Sequence, residues 1–328
     1  MLSRPALKKL YSIAGRVLSI HTFDDWSTAA VSKLVDGWSI RPLENGHGLA
    51  DATLKISTGT VLPAIPADLS NFSISEAGTC HTDQKTFYLQ FEGSLIRTDS
   101  SSEVAVWINR PEDLDSTTLS RVLSQAFSAV LRRCGLYDIH SAAVVPPDET
   151  GAVLIAGPSG SGKSTLTAKL AAAGWAYLTD DTLILRNDVA GVEAIALRQF
   201  FALTRATVAA LPDMQTTPFL GSRKARFTPQ EFFAGEQIEA AKPSVMLFPS
   251  ITREQETRLV RLSQSEAMSR LLKLCPWACY DANSASDHLT VLGRLARETS
   301  GFDILAGIDL LQAPQLASDL VYQAYSRN

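Results

Sequence analysis

The chain has 328 residues, 45% of them hydrophobic, enough to bury one large core or two modest ones, and two are expected. Its 30 Lys and Arg against 34 Asp and Glu leave a formal charge of -4, which argues against a general electrostatic attraction to nucleic acid or to an anionic membrane. Apolar runs fall far short of the roughly 20 residues that cross a bilayer, Arg16 interrupts any N-terminal signal segment, and four cysteines make no disulfide framework, so a soluble cytoplasmic protein is expected.

From 17 to 108 the chain reads as short strands broken by turn residues, at 17–21, 52–57, 86–91, 94–98 and 104–108. The Pro-rich stretch 62–66 and the polar run 98–102 read as loops. This β-rich part is expected to form a smaller N-terminal domain over 1–112, suited to substrate recognition. The remainder, 113–328, is expected to be an α/β domain, a mixed sheet with flanking helices.

In the second part, Leu119, Val122, Leu123, Ala126, Phe127, Val130 and Leu131 repeat at three- and four-residue steps and predict a helix over 116–134, ended by Gly135. An alternating strand over 137–145, a turn over 146–151 and an apolar strand over 152–156 follow. A helix over 164–173 comes next, then a strand over 175–179 that delivers Asp180 and Asp181 and continues through 183–185. The stretch 221–226 reads as a mobile loop. Strands at 245–248, 258–262 and 303–306, a helix opened by the capping box Ser263 to Glu266, and a helix over 286–297 complete the pattern, with no internal repeat.

Between the apolar strand and the helix lies Gly157-Pro158-Ser159-Gly160-Ser161-Gly162-Lys163-Ser164, a phosphate-binding loop in the context that confirms one. Its glycines let backbone N–H groups turn inward onto phosphates, and the helix that follows adds its positive end. Gly157, Ser159, Gly160, Ser161, Gly162, Lys163, Ser164 and the adjoining Thr165 are therefore candidate nucleotide contacts. Lys163 would reach the β- and γ-phosphates, and Ser164 would ligate magnesium, so ATP and Mg2+ are the expected cofactors.

Asp180 and Asp181 arrive less than twenty residues beyond Lys163, close enough for one carboxylate to serve a metal while the other takes a proton from an attacking hydroxyl. A solvated Asp-Asp turn is the plainer alternative. His140 sits on the strand before the loop strand; a lone His beside apolar residues is by default a hydrogen-bonded core residue, and its place next to the phosphate strand is what makes it a candidate. His21, His47, His81 and His288 form no ligand pattern. Arg198, Arg205, Arg223, Lys224 and Arg226 could contact phosphates or an acidic acceptor, with Lys224 and Arg226 foremost, although most read as a solvated basic face. Cys275 and Cys279 lie close together without a second Cys or His pair, so buried or half-buried thiols are expected rather than a metal site.

Ile139-His140-Ser141-Ala142, the phosphate loop, and Tyr177-Leu178-Thr179-Asp180-Asp181 together resemble the core of the bacterial HPr serine kinase family, over about 136–185. The resemblance implies Asp180 as the base for a serine hydroxyl, Asp181 at the metal and phosphates, His140 in support of the catalytic Asp, and Lys163 and Ser164 on phosphate and magnesium. Thr165 stands where that family has an acidic residue, and its Gly-rich signature after the Asp pair is missing, which argues against HPr as acceptor and against the reverse phosphorolysis. The runs Arg132 to Tyr137 and Trp175 to Leu178 look more like the HPr-kinase-related proteins of peptide-modification clusters. Among these are lasso-peptide kinases, which phosphorylate the C-terminal serine of a precursor. HPr-kinase-type relatives assemble as hexamers; the altered N-terminal region leaves a homo-oligomer open here without carrying that number over.

The expected activity is thus transfer of a γ-phosphoryl group from ATP to a serine of a peptide or protein, by a bacterial enzyme with no nucleic-acid or membrane partner. Two rivals stand beside it: a kinase for a small metabolite, suggested by the kinship of this core with phosphoenolpyruvate carboxykinases, and a nucleotide-gated binding protein without chemistry. The paired carboxylates weigh against the last.

Overall fold

A computed structural model describes residues 7–44, 49–59, 61–74, 78–91, 93–209, 211, 214, 224–313 and 315–327. Among them the N-terminal apolar alternation builds a nine-stranded mixed sheet. Its order is Arg41–Pro42, Leu7–Ile13, Arg16–Thr22, Ala52–Gly59, Glu103–Asn109, Ser94–Thr98, Phe87–Phe91, Gly78–Thr82 and Ser70–Ile74. The central pairs 16–22 with 52–59 and 52–59 with 103–109 are parallel, and every other pair is antiparallel. Alternate residues Leu18, Ile20, Leu54, Ile56, Val104, Val106 and Ile108 are fully buried, as period-two patterning requires.

Helix Ser116–Arg133 packs on this sheet through the stripe seen in its sequence, with Val122, Ala126, Phe127 and Val130 at most 1% exposed. Asp115 caps it by accepting from Thr117 N (2.7 Å) and Thr118 N (3.0 Å). The compact unit containing this helix runs to Tyr137 and recruits Trp277–His288, so it extends past the boundary at 112/113 drawn from composition. The helix stripe is why: its buried face has the N-terminal sheet as its partner. Asp281, fully buried, ties the recruited segment to Arg133 at 3.0 Å and Arg132 at 3.4 Å.

The other unit, Asp138–Pro276 with Leu289–Asn328, is built on a six-stranded sheet in the order Ala176–Thr179, Ser141–Val145, Ala152–Ala156, Pro243–Ile251, Ser300–Ala306, Arg258–Arg261. Strand 152–156 runs parallel to 243–251, which runs parallel to 300–306, while 141–145 is antiparallel to both its neighbours. Every residue of 141–145 and 152–156 is buried, as expected of strands covered on both faces. Helix Lys163–Ala172 covers one face with Leu166, Ala168, Leu170 and Ala171, and the C-terminal helix Leu316–Ser326 adds Ala317, Leu320, Val321 and Ala324. Ser263 and Glu266 form the expected capping box of helix Gln264–Leu274. The whole is mixed α/β, with several sheets and flanking helices.

Three readings of the sequence are corrected. The strand expected over 137–145 is two strands, Leu136–Ile139 and Ser141–Val145, in different sheets, and the chain bends between them at His140. Strand Leu183–Asp188 does not continue 176–179 but pairs with Gly191–Ala196 in a separate sheet, because Asp180 and Asp181 turn the chain away. Of the expected loop 221–226, positions 221–223, Arg223 included, lie outside the described residues, and Lys224–Phe227 is a strand paired with Phe201–Thr204. Strand Leu7–Ile13, helix Asp25–Val35 and the C-terminal helix have no counterpart in the sequence reading. Among the described residues no helix is long and apolar enough to cross a membrane.

Candidate active site

Register brings the site together. Ser141 pairs with Ala156, so His140 lies beside the start of the loop at Gly157, and Ala143 pairs with Thr179, so Asp180 and Asp181 leave the sheet at the same end. The loop then enters helix 163–172 with Gly162 at its N-cap at φ 102° and Gly160 at φ 83°, conformations that cost side-chain-bearing residues dearly. Gly157 serves a different need: a Cβ there would lie 2.8 Å from Ser161 Oγ. Ser159 and Gly160 are exposed, whereas Ser161 is buried with its hydroxyl unpartnered.

Lys163 is 5% exposed and folds back over the loop, donating to Gly157 O at 2.8 Å and Pro158 O at 3.0 Å. Its ammonium also lies 3.0 Å from His140 Nε2. Burial pushes the Lys163 pKa down to about 8, against the pull of Asp181. A lysine held on its own loop's carbonyls is one that a phosphate can draw away without unfolding anything.

Asp181 is the electrostatic hub. Its Oδ1 is 3.3 Å from His140 Nδ1, and its Oδ2 takes Arg198 Nη1 at 2.5 Å and the Thr182 hydroxyl at 2.9 Å. Burial alone would raise its pKa, but Arg198 and then His140 hold it below the ordinary carboxylate value. Since a lysine ammonium faces Nε2 as donor, His140 is set as the Nδ1–H tautomer, donating to Asp181. Burial lowers the His140 pKa, with Asp181 opposing, which keeps the ring neutral.

Asp180 is the contrast. It is 1% exposed, its Oδ2 accepts Ala202 N at 3.2 Å, and among the described residues Oδ1 has no hydrogen-bond partner, while the Ser164 hydroxyl and Lys224 lie near enough to favour the charged form. Burial first, then the charge of Asp181, pushes its pKa up to about 7. Ser164 donates to the Asp180 backbone oxygen at 3.4 Å, so its hydroxyl and the Asp180 carboxylate belong to one corner.

The strand pair 201–204 and 224–227 forms one wall: Ala202, whose N–H holds Asp180, lies opposite Arg226 in the ladder. Arg226 is 4.7 Å from the centre of the Phe200 ring, and Arg198 is 6.0 Å from it. Lys224 is exposed on the same strand and near enough to act on Asp180, Asp181, His140 and Lys163 electrostatically. Thr165 turns to Thr207 at 2.8 Å, which in turn meets Thr204 at 3.1 Å. Phe200, Ala202 and Thr207 were not foreseen; Ala202 acts through its backbone, which leaves no mark in a sequence. Arg205 is exposed on helix Arg205–Ala209. Cys275 is buried and Cys279 exposed, and no group of three His, Cys, Asp or Glu side chains among the described residues could hold a metal alone.

No protein-family model matches the chain, and no curated protein matches it. Among solved structures, the HPr(Ser) kinase/phosphatase from Coxiella burnetii matches at 13% identity, over 58% of this chain and 97% of that one, with a TM-score of 0.33. At that identity and score the likeness bears on no residue's role.

Proposed function

We propose that the chain is an ATP-dependent kinase acting on a serine hydroxyl of a peptide or protein. The observation that carries this reading is the pairing of a phosphate-type loop with Asp180, a buried carboxylate at the loop's catalytic end with one oxygen that has no hydrogen-bond partner among the described residues. A base with a pKa near neutrality is suited to accepting a hydroxyl proton.

In this reading the serine oxygen attacks the γ-phosphorus in line, its proton passes to Asp180 Oδ1, the bond to the β-phosphate oxygen breaks, and ADP leaves. Lys163 exchanges its loop carbonyls for the phosphates, and the loop amides face the same charge. Ser164 and Asp181 are the residues that would hold magnesium, which supplies charge neutralisation on the β- and γ-oxygens when bound. The Ser164 hydroxyl fits that task directly; Asp181, engaged by Arg198, His140 and Thr182, fits through water. His140 couples Lys163 to Asp181 and so positions both.

A cytoplasmic location and a ribosomal peptide bearing a C-terminal serine as acceptor complete the proposal, with Arg198, Lys224 and Arg226 as its phosphate or substrate contacts. The test is Asp180→Asn: transfer to a serine peptide lost, nucleotide affinity kept. Transfer at the unaltered rate would remove Asp180 from the role of base.

A further inference from the structure

Strand Phe201–Thr204 runs straight into the short helix Arg205–Ala209, and this stretch meets the phosphate-loop helix by a route of its own. Thr207, in the short helix, is 5% exposed, and its hydroxyl oxygen lies 2.8 Å from Thr165 Oγ1 and 3.1 Å from Thr204 Oγ1. Thr165 follows Ser164 directly in the first turn of helix Lys163–Ala172, and Thr204 ends the strand on which Ala202 N–H holds Asp180. A hydroxyl gives one proton and accepts others, so Thr207 can give to one of its two neighbours and take from the other. Thr207 N also donates to Thr204 Oγ1 at 3.3 Å, which fastens the helix to the end of the strand. Phe201, Leu203 and Val208 share a core with Leu166 of the loop helix. Apolar packing of that kind holds the two elements together but is non-directional. The directional contacts are the three hydroxyls.

We infer that Thr207 is a positioning residue for the transfer reaction: through Thr165 and Thr204 it sets the strand that orients the Asp180 carboxylate against the helix that carries Lys163 and Ser164. The inference rests on the kinase reading and deepens it by naming what aligns the base with the phosphate loop. In-line transfer needs the acceptor oxygen, held by the base, and the γ-phosphorus, held by the loop, at reacting distance, and a small misplacement of either costs rate. The Asp180 backbone already meets the loop helix through Ser164, whereas its carboxylate takes its bearing from Ala202 on the strand. Thr207 acts on that strand from the loop side, so its loss belongs in kcat and not in the binding of nucleotide.

The test compares the whole parent chain with Thr207→Val, which keeps the side-chain volume and removes the hydroxyl, with Thr207→Ser, which keeps the hydroxyl, and with Thr204→Val, at an exposed position that leaves folding intact. Each is assayed for phosphate transfer from Mg-ATP to serine-containing peptides, for ATP affinity by calorimetry, and for hydrogen exchange of the Ala202 amide. Thr207→Val should lower kcat about tenfold, keep the peptide KM and the ATP Kd within about twofold, and speed exchange at Ala202 at least about fivefold. Thr207→Ser should bring all four readings back to within about twofold of the parent, and Thr204→Val should lower kcat about threefold. Unchanged kcat in Thr207→Val or in Thr204→Val, a loss that Thr207→Ser shares in full, or an equal loss of ATP affinity would overturn the positioning role alone. ATP bound by the parent with no peptide phosphorylated would overturn the kinase reading, and the positioning role with it.

Discussion

Lys163 Nζ stands 3.0 Å from His140 Nε2, so the loop lysine reaches the first carboxylate of the site, Asp181, through a single imidazole. With Lys163 as the ammonium, a neutral ring carrying its proton on Nδ1 satisfies both contacts. In the proposed reading His140 acts through Lys163 and Asp181, so His140→Ala should lower kcat by about 10–100-fold while leaving the ATP dissociation constant within about threefold. Equal losses in affinity and turnover would instead make it a nucleotide contact.

Asp180 links function to stability with a definite sign. Its folded pKa, about 7, lies above the ordinary 3.8, so between those values the folded chain holds a proton that the unfolded chain has released. The stabilisation this gives is fully present below the unfolded pKa and is lost as pH rises through about 7. Asp180→Asn removes that loss: the variant should gain up to about 4 kcal/mol over the parent at pH 8 and little at pH 4, measured by denaturant unfolding. The same titration sets a limb in the rate, with kcat/KM of the parent rising with pH toward about 7 and levelling above it, read from a pH series in the free enzyme.

Gly162 is the loop residue with least freedom to change. At φ 102° it starts the helix that carries Lys163 and Ser164, and alanine there forces the loop out of its shape. Gly162→Ala should weaken nucleotide binding at least about tenfold and cost about 1–3 kcal/mol of stability, by calorimetry on the two proteins side by side.

Asp281 tests the packing of the segment Trp277–His288 in its own unit. It is fully buried against Arg132 and Arg133, and Arg132 also lies 5.2 Å from the Trp277 ring. Asp281→Ala leaves two buried guanidinium groups without their carboxylate and should cost about 3–5 kcal/mol in urea unfolding. A cost below about 1 kcal/mol would mean that water replaces the carboxylate.

The sequence showed those parts of the molecule that short-range periodicity controls. The stripe from Leu119 to Leu131, the apolar strand 152–156, the glycine spacing of the loop and the capping box at Ser263 all reappear at their expected places. What could not be read was long-range pairing. Nothing local says that 137–145 breaks at His140 between two sheets, or that helix 116–133 buries its stripe on the N-terminal sheet. Within the site, spacing brought out Lys163 and the two Asp residues. It could not say that Asp181 would be held by His140 and Arg198 while Asp180 met the backbone of Ala202, because those partners are brought in by long-range pairing.

The most direct test of the central claim is mass spectrometry of serine-containing peptides after incubation with the purified chain and Mg-ATP, with Asp180→Asn run in parallel. The account predicts one added phosphate, placed on serine, with the parent chain, and none with the variant although it still binds ATP. Equal phosphate transfer by both proteins, or ATP bound by the parent with no peptide ever modified, would contradict it.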